Sequence, residues 1–168
     1  MTDERIGDAL WRALRRLPPG SGVVFRHYSV DRRARLRLWV ALRRRARARG
    51  MVVLSAGGLL PGADGAHGGR RPSSAPAHDR REAIAAVRAG ARLLFVSPLF
   101  PTASHPGAPA LGAARAGRIA RGLDVQAIAL GGMDARRWRA ARGAGFDGWA
   151  GIDAWAVERL PPRKSGRT

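Results

Sequence analysis

Apolar residues recur along this chain in two alternating rhythms. Ile6, Leu10, Leu14 and Leu17, with Trp11 beside them, keep the three- and four-residue spacing of one helix face. Asp3 stands before them as an N-cap and Pro18-Pro19-Gly20 ends the run. Gly22–Arg26 is a short apolar run of strand length. Helical spacing returns over Arg32–Arg49, where Leu38, Trp39, Leu42 and Ala46 make the stripe and Leu36 and Val40 flank it. Arginines fill the outer face, and Gly50 is placed to terminate the helix.

The alternation continues to the end. Strands are predicted at Met51–Leu54, Ala63–Ala66 and Ser74–Ala77. Asp79 caps a helix to Ala89, with Ile84 and Val87 inward. The strand Leu93–Val96, the helix Ala113–Arg121 and the strand Val125–Leu130 follow. Gly131-Gly132 makes a tight turn, and Asp134 caps a helix ending near Arg142-Gly143. Phe146–Ile152 is a last strand, and Asp153 caps a short helix to about Leu160. Ser55–Gly62 lacks helical spacing, so a helix there is short or missing.

Strands and helices in alternation with short connections predict a parallel α/β sheet with crossover helices. Repeats of roughly twenty residues with glycine turns favour a (β/α)8 TIM barrel over an open sheet, although 168 residues fall below the usual barrel length of about 200 or more. One domain over residues 1–160 and a polar tail over 161–168 are expected.

Composition narrows the function classes. The absence of cysteine removes disulfides and thiolate metal sites. No stretch approaches the roughly 20 apolar residues of a membrane span, and MTDERIGDAL has no leader-like apolar run. A cytoplasmic location is the default expectation. The formal charge is +19, but of the 31 basic residues all except Lys164 are arginine. An arginine, alanine and glycine bias of this kind also arises from GC-rich codons. Nucleic acid therefore ranks below phosphorylated small molecules, whose phosphates match the guanidinium geometry.

The candidate chemistry centres on Phe95–Gly112. A buried strand there runs into a loop stiffened by Pro98, Pro101, Pro106 and Pro109, with Thr102, Ser104 and His105 between the prolines. Ligand sites of α/β proteins lie beyond the carboxyl ends of the strands, where this loop stands.

These residues resemble a known family. Ser97-Pro98-Leu99-Phe100-Pro101-Thr102, then Ser104-His105-Pro106-Gly107-Ala108-Pro109 and Leu111-Gly112, resembles the G-P-[IV]-[FY]-P-T-x-[ST]-[KH]-P-G…LG loop of thiamine phosphate synthase and its TenI-like relatives. Ala63–His67 resembles A-D-G-V-H, Ala129–Met133 resembles A-I-G-G-I, and Gly145–Trp155 resembles the last strand G-A-x-G-V-A-V-V-S-A-I. Met1-Thr2-Asp3 is similar to the I-T-D that ends the family's first strand, which implies a truncated first strand and a true start upstream.

The resemblance implies a transferase of the thiamine-phosphate diphosphorylase type. It would join hydroxymethylpyrimidine diphosphate to thiazole phosphate, release pyrophosphate, and use Mg²⁺. Thiazole tautomerase and a non-catalytic binder of thiazole or thiamine phosphate are the alternatives. The implied partners are phosphorylated pyrimidine and thiazole molecules, with a homodimer left open.

Carried over residue by residue, Arg26 matches the arginine of the family's Q-x-R-x-K strand, placed for pyrophosphate. His78, at an S-A-H strand end, and His105 are the candidate bases. Thr102, Ser104, His105, Gly131, Gly132, Ile152 and Asp153 make the expected phosphate-binding set. Asp64 is the candidate metal ligand, in competition with a structural role in its turn; His27 and His67 are read as structural. Several positions depart from the pattern. Val24 and Tyr28 replace the glutamine and lysine, Ser55-Ala56 replaces Asn-Asp, and Gly68-Gly69-Arg70-Arg71 replaces G-Q-x-D. Asp153 stands where the family has serine. Two metal carboxylates are thereby lost, and Arg70 and Arg71 are offered as a guanidinium substitute at pyrophosphate.

Overall fold

Among the described residues, seven strands form one all-parallel sheet in the computed structural model, which describes residues 1–102, 107 and 109–156. The strands are β1 (Gly22–Phe25), β2 (Val52–Ala56), β3 (Gly65–His67), β4 (Ser74–Ala77), β5 (Leu93–Val96), β6 (Gln126–Ala129) and β7 (Gly148–Trp149), and they stand in sequence order. Registers such as Ser74↔Leu93↔Gln126 align the strand starts on one rim and the strand ends on the other. Helices α1 (Ala9–Arg16), α2 (Arg32–Arg47), α3 (Arg80–Arg88), α4 (Ala113–Gly117), α5 (Ala135–Ala141) and α6 (Asp153–Ala156) lie before, between or after the strands. The architecture is α/β, a parallel sheet curled toward a barrel.

Three apolar clusters show the layering. Val24, Leu54, Ala56 and Phe95 pack together from alternate positions of β1, β2 and β5, with Ile128 and Leu130 against them. The opposite faces of β1 and β2, through Val23, Phe25 and Val53, bury Leu10 and Leu14 of α1 and Trp39 and Leu42 of α2. A third cluster joins β4, β5 and β6 to α3, α4 and α5. This period of two along the strands is what a sheet covered on both faces requires.

The stripe expected on the second helix is the one that is buried. Asp31 starts α2 by accepting from the Arg33 and Ala34 N–H groups. Trp39 is 1% exposed and its indole N–H donates to the Pro61 carbonyl at 3.0 Å. That bond holds the connection 57–64, which carries no helix. Ser55 Oγ closes the same loop, donating to the Gly58 carbonyl and accepting from the Leu60 N–H.

Residues 1 and 2 lie between β1 and the segment after β7. The Thr2 N–H donates to the Val24 carbonyl at 2.8 Å, and the Met1 amino group donates to the Gly151 carbonyl at 3.2 Å. An apolar slot of about 240 Å³ between α1, β1 and β7 adjoins them, walled by Leu10, Leu14, Val23, Trp149 and Trp155.

Some boundaries differ from the sequence expectation. The first helix is split into a short 3-10 turn, Glu4–Ile6, and α1. The third strand starts at Gly65, two residues later than expected. The helix expected to reach Arg121 stops at Gly117, where the backbone presses on the Ala144 carbonyl and leaves no room for a Cβ. The last strand is reduced to Gly148–Trp149, with one further ladder bond on each side, Asp147 N–H to Ala127 and Ala150 N–H to Ala129. The continuation of α6 toward Leu160 and the tail 161–168 lie outside the described residues.

The Trp39–Pro61 bond gives a direct test. Trp39→Phe keeps an aromatic ring in the core but leaves a carbonyl unpaired, and is expected to lower the unfolding free energy by about 1–3 kcal/mol in urea titrations. Trp39→Ala is expected to cost about 3–5 kcal/mol. A Trp39→Phe protein as stable as the parent would show that the loop does not depend on this bond.

Candidate active site

The strand ends surround a cavity of about 1070 Å³. Arg26 after β1, His67 of β3, His78 after β4, Thr102 after β5, Gly131 after β6 and Asp153 after β7 all line it. Six separate strands thus present side chains or backbone to one space, the geometry that parallel α/β folds use for ligands.

The best-built wall joins the loops after β5 and β6. The Leu99 N–H donates to the Leu130 carbonyl at 2.9 Å, and the Phe100 N–H donates to the Gly131 carbonyl at 3.1 Å. Gly131 sits at φ +91°, and a Cβ there would come 2.7 Å from Pro98 Cα. Glycine is therefore required by both the backbone conformation and the close approach. Arg137 donates to the Gly132 carbonyl, and its guanidinium lies over the Phe100 ring, 5.0 Å from the centroid. Asp134 accepts from the Arg136 and Arg137 N–H groups and starts α5 directly after the glycine turn.

Several expected residues meet here. Arg26, Thr102, Gly131, Gly132, Ile152, Asp153 and His78 all line the cavity. Ser104 and His105 lie outside the described residues. His78 is more than half exposed, and its Nδ1 is 2.8 Å from Glu82 Oε2, which also accepts from the His78 backbone N–H. Asp153 lies 3.9 Å from an Arg5 nitrogen.

Asp64 is placed differently, and the metal expectation for it is corrected. Because β3 begins at Gly65, Asp64 lies at the strand's start, the far end from the cavity. Its carboxylate accepts from the Val53 N–H at 2.7 Å and pairs with Arg47 at 2.6 Å. Arg70 and Arg71 are also absent from the cavity wall. Arg71 lines a separate groove beside Ser73 and Arg92, at the strand starts. They are not placed to replace a metal at the mouth.

The two-residue shift of β3 also brings in a residue read from sequence as structural. His67 ends β3 in the cavity wall, with Nδ1 2.9 Å from Ser74 Oγ and its ring edge-on to Phe95 at 5.3 Å. Burial, then the nearby Arg26 guanidinium, lower its pKa to about 4, so it is neutral at pH 7. The signal was available in its position at the end of Ala63–His67. His27 is structural as expected: it is 6% exposed, stacked on Phe25, and 3.1 Å from Thr2 Oγ1.

A divalent metal fits these residues poorly. Mg²⁺ is held through carboxylate oxygens, and the carboxylates facing the cavity among the described residues are Asp134 and Asp153. Asp134 is committed as a helix cap, and Asp153 lies near Arg5. Ala56, at a position where the family pattern has a carboxylate, is packed in the apolar interior. No group of three or more potential ligands is found among the described residues. Arg26, Arg136 and Arg137 instead give the mouth guanidinium groups. No helix among the described residues is long and apolar enough to cross a membrane.

Comparison with known proteins first sets the structural class. The thiamine phosphate pyrophosphorylase from Pyrococcus furiosus superposes with a TM-score of 0.77 at 21% identity, covering 94% of this chain and 86% of that one. That likeness shows the fold. Sequence then points to a family. Residues 74–155 match the family model of thiamine monophosphate synthase. The chain is 42% identical over 79 residues to the thiamine-phosphate synthase of Salinispora tropica, covering 46% of this chain and 38% of that protein. It is 37% identical over 87 residues to that of Geobacillus kaustophilus, covering 51% of this chain and 39% of that protein. The matched segments span less than two fifths of these relatives' length. Residues 74–155 are thus similar to the TenI-like thiamine monophosphate synthases over about half of this chain.

The depressed His67 pKa couples stability to pH. The folded value lies below the ordinary value of about 6.5, so the unfolded chain binds more protons between about pH 4 and 6.5. The stability tied to neutral His67 is fully present above pH 6.5 and is lost as the pH falls toward 4, by about 3 kcal/mol at most. His67→Asn is expected to flatten that part of the stability–pH curve in urea titrations. An unchanged curve would show that His67 is not the group responsible.

Proposed function

We propose that this protein is a thiamine phosphate synthase. The reaction joins hydroxymethylpyrimidine diphosphate and thiazole phosphate. The thiazole nitrogen forms a bond to the pyrimidine methylene carbon, and the carbon–oxygen bond to pyrophosphate breaks with its electrons leaving on oxygen. The observation that carries this reading is the strand-end cavity, where Arg26, Thr102 and the Gly131-Gly132 turn line one space. The family match over residues 74–155 supports it from the sequence side.

In this reading the two sides of the cavity divide the work. Arg26, on β1's exit, meets the departing pyrophosphate, where a guanidinium offers paired donors to phosphate oxygens. Gly131, Gly132 and Thr102 receive the thiazole phosphate. The stitching of the β5 and β6 loops fixes their spacing, so the nucleophile is held in line with the carbon. Neutral His67 adds a polar group to the wall without adding a charge. No step is assigned to Mg²⁺, because the described residues do not offer the carboxylates to hold it. In the same reading the seven-stranded parallel sheet is part of an eight-position barrel, a proposal supported by the backbone bonds of residues 1 and 2 to Val24 and Gly151.

A purified-protein assay with both substrates, with and without Mg²⁺, tests the proposal. Thiamine phosphate and pyrophosphate are the expected products. Arg26→Gln is expected to lower kcat/KM by about 10- to 150-fold, the equivalent of one charge-assisted hydrogen bond of about 1.5–3 kcal/mol. No thiamine phosphate under either condition would overturn the synthase reading. Turnover of the thiazole alone would point instead to a tautomerase.

A further inference from the structure

The arginine excess is not spread evenly over the fold. Because all strands are parallel, helix N-termini share the rim of the cavity and helix C-termini share the opposite rim. Most acidic residues serve at helix starts, so they collect on the cavity rim. Asp31, Asp79 and Asp134 cap α2, α3 and α5, while Asp3 caps the first turn, Glu82 lies in the first turn of α3 and Asp153 begins α6. The opposite rim keeps few acids among the described residues. Asp64 is bound to Arg47 and the Val53 N–H, Asp147 accepts from the Ala127 N–H, and Asp124 lies on the turn before β6.

Arginine dominates that rim. Arg71 precedes β4, Arg88 ends α3 and Arg92 precedes β5, and the three converge on a groove of about 450 Å³ floored by Pro72, Ala89 and Gly90. All three are exposed, and none forms a salt bridge among the described residues. Basic residues at helix C-termini are favoured by the helix dipole, which accounts for Arg88. It does not account for Arg71 and Arg92, which stand on strand entries.

We propose that this groove, on the end of the fold opposite the cavity, binds the phosphate backbone of double-stranded nucleic acid. Three unpaired guanidiniums around a concave, small-residue floor match a run of phosphates. No aromatic side chain lines the groove among the described residues, so it has no platform for unstacked bases and fits a duplex read without regard to sequence. Composition alone could not separate codon bias from a binding surface. The placement adds what composition lacks: arginines stand on both rims, but the acids collect on the cavity rim and leave Arg71, Arg88 and Arg92 together around one groove without a carboxylate partner among the described residues.

The test is fluorescence anisotropy of a short labelled DNA duplex, titrated with the protein at NaCl from about 50 to 200 mM. The parent is expected to bind with affinity that falls steeply with salt. Replacing the three groove residues (Arg71→Gln, Arg88→Gln, Arg92→Gln) should reduce the slope of log affinity against log salt by about 2–3, since each phosphate neutralised by the protein adds about 0.9 to it. A charge-matched control at the start of α2 (Arg32→Gln, Arg33→Gln, Arg37→Gln) should leave the slope within about 0.5 of the parent value. Hydrogen-exchange protection by the duplex should fall on residues 71–73 and 88–92, a readout that needs no variant. Equal losses in the two triple variants, no salt-dependent binding by the parent, or binding to anionic lipid vesicles without binding to duplex would each overturn the proposal.

Discussion

The parallel register of the strands is the constraint on which the rest depends. With β1 to β7 side by side in sequence order, each strand exit falls on one rim and each entry on the other. Helix N-caps follow the exits, so acids gather there; helix C-termini and strand entries share the far rim, where arginine outnumbers acid and Arg71, Arg88 and Arg92 form no salt bridge among the described residues. A shift of two residues in a strand start, as at β3, moves a side chain from one rim to the other. It takes Asp64 out of the cavity and puts His67 into its wall.

Within that frame, the cavity is held open by backbone more than by side chains. The loops after β5 and β6 are joined by Leu99 N–H to Leu130 and Phe100 N–H to Gly131. Gly131 must lack a Cβ for Pro98 to lie against it. Among the described residues, this part of the wall is fixed by backbone hydrogen bonds and close packing. The opposite wall is different. It rests on Arg26 and His67, with Tyr28 in place of a basic residue and apolar Val24 turned into the interior.

How much of this was legible from sequence depended on range. Helix caps and helix stripes are local, and Asp31, Asp79, Asp134 and the Trp39 stripe stand where the spacing puts them. The loop Phe95–Gly112 was legible as a strand-end ligand loop because proline and glycine punctuate it. The boundary of β3 was not, since Ala, Asp, Gly and His give no two-residue alternation to fix it. Arg70 and Arg71 were misplaced for a related reason. No helix separates β3 from β4, so the connection must cross from exit rim to entry rim within a few residues and carries Arg71 with it. The place of residues 1 and 2 was legible only through the resemblance of Met1-Thr2-Asp3 to the end of a first strand, because it rests on backbone bonds to residues far along the chain.

The central claim is that phosphorylated substrate binds at the strand-end cavity on the glycine-turn wall. Amide-resolved NMR during titration with thiazole phosphate tests this most directly. The account predicts saturable shifts at Thr102, Gly131, Gly132 and Met133, with residues 71–73 and 88–92 unchanged. Shifts confined to the arginine groove on the far rim, or no saturable shifts at the glycine turn, would contradict it.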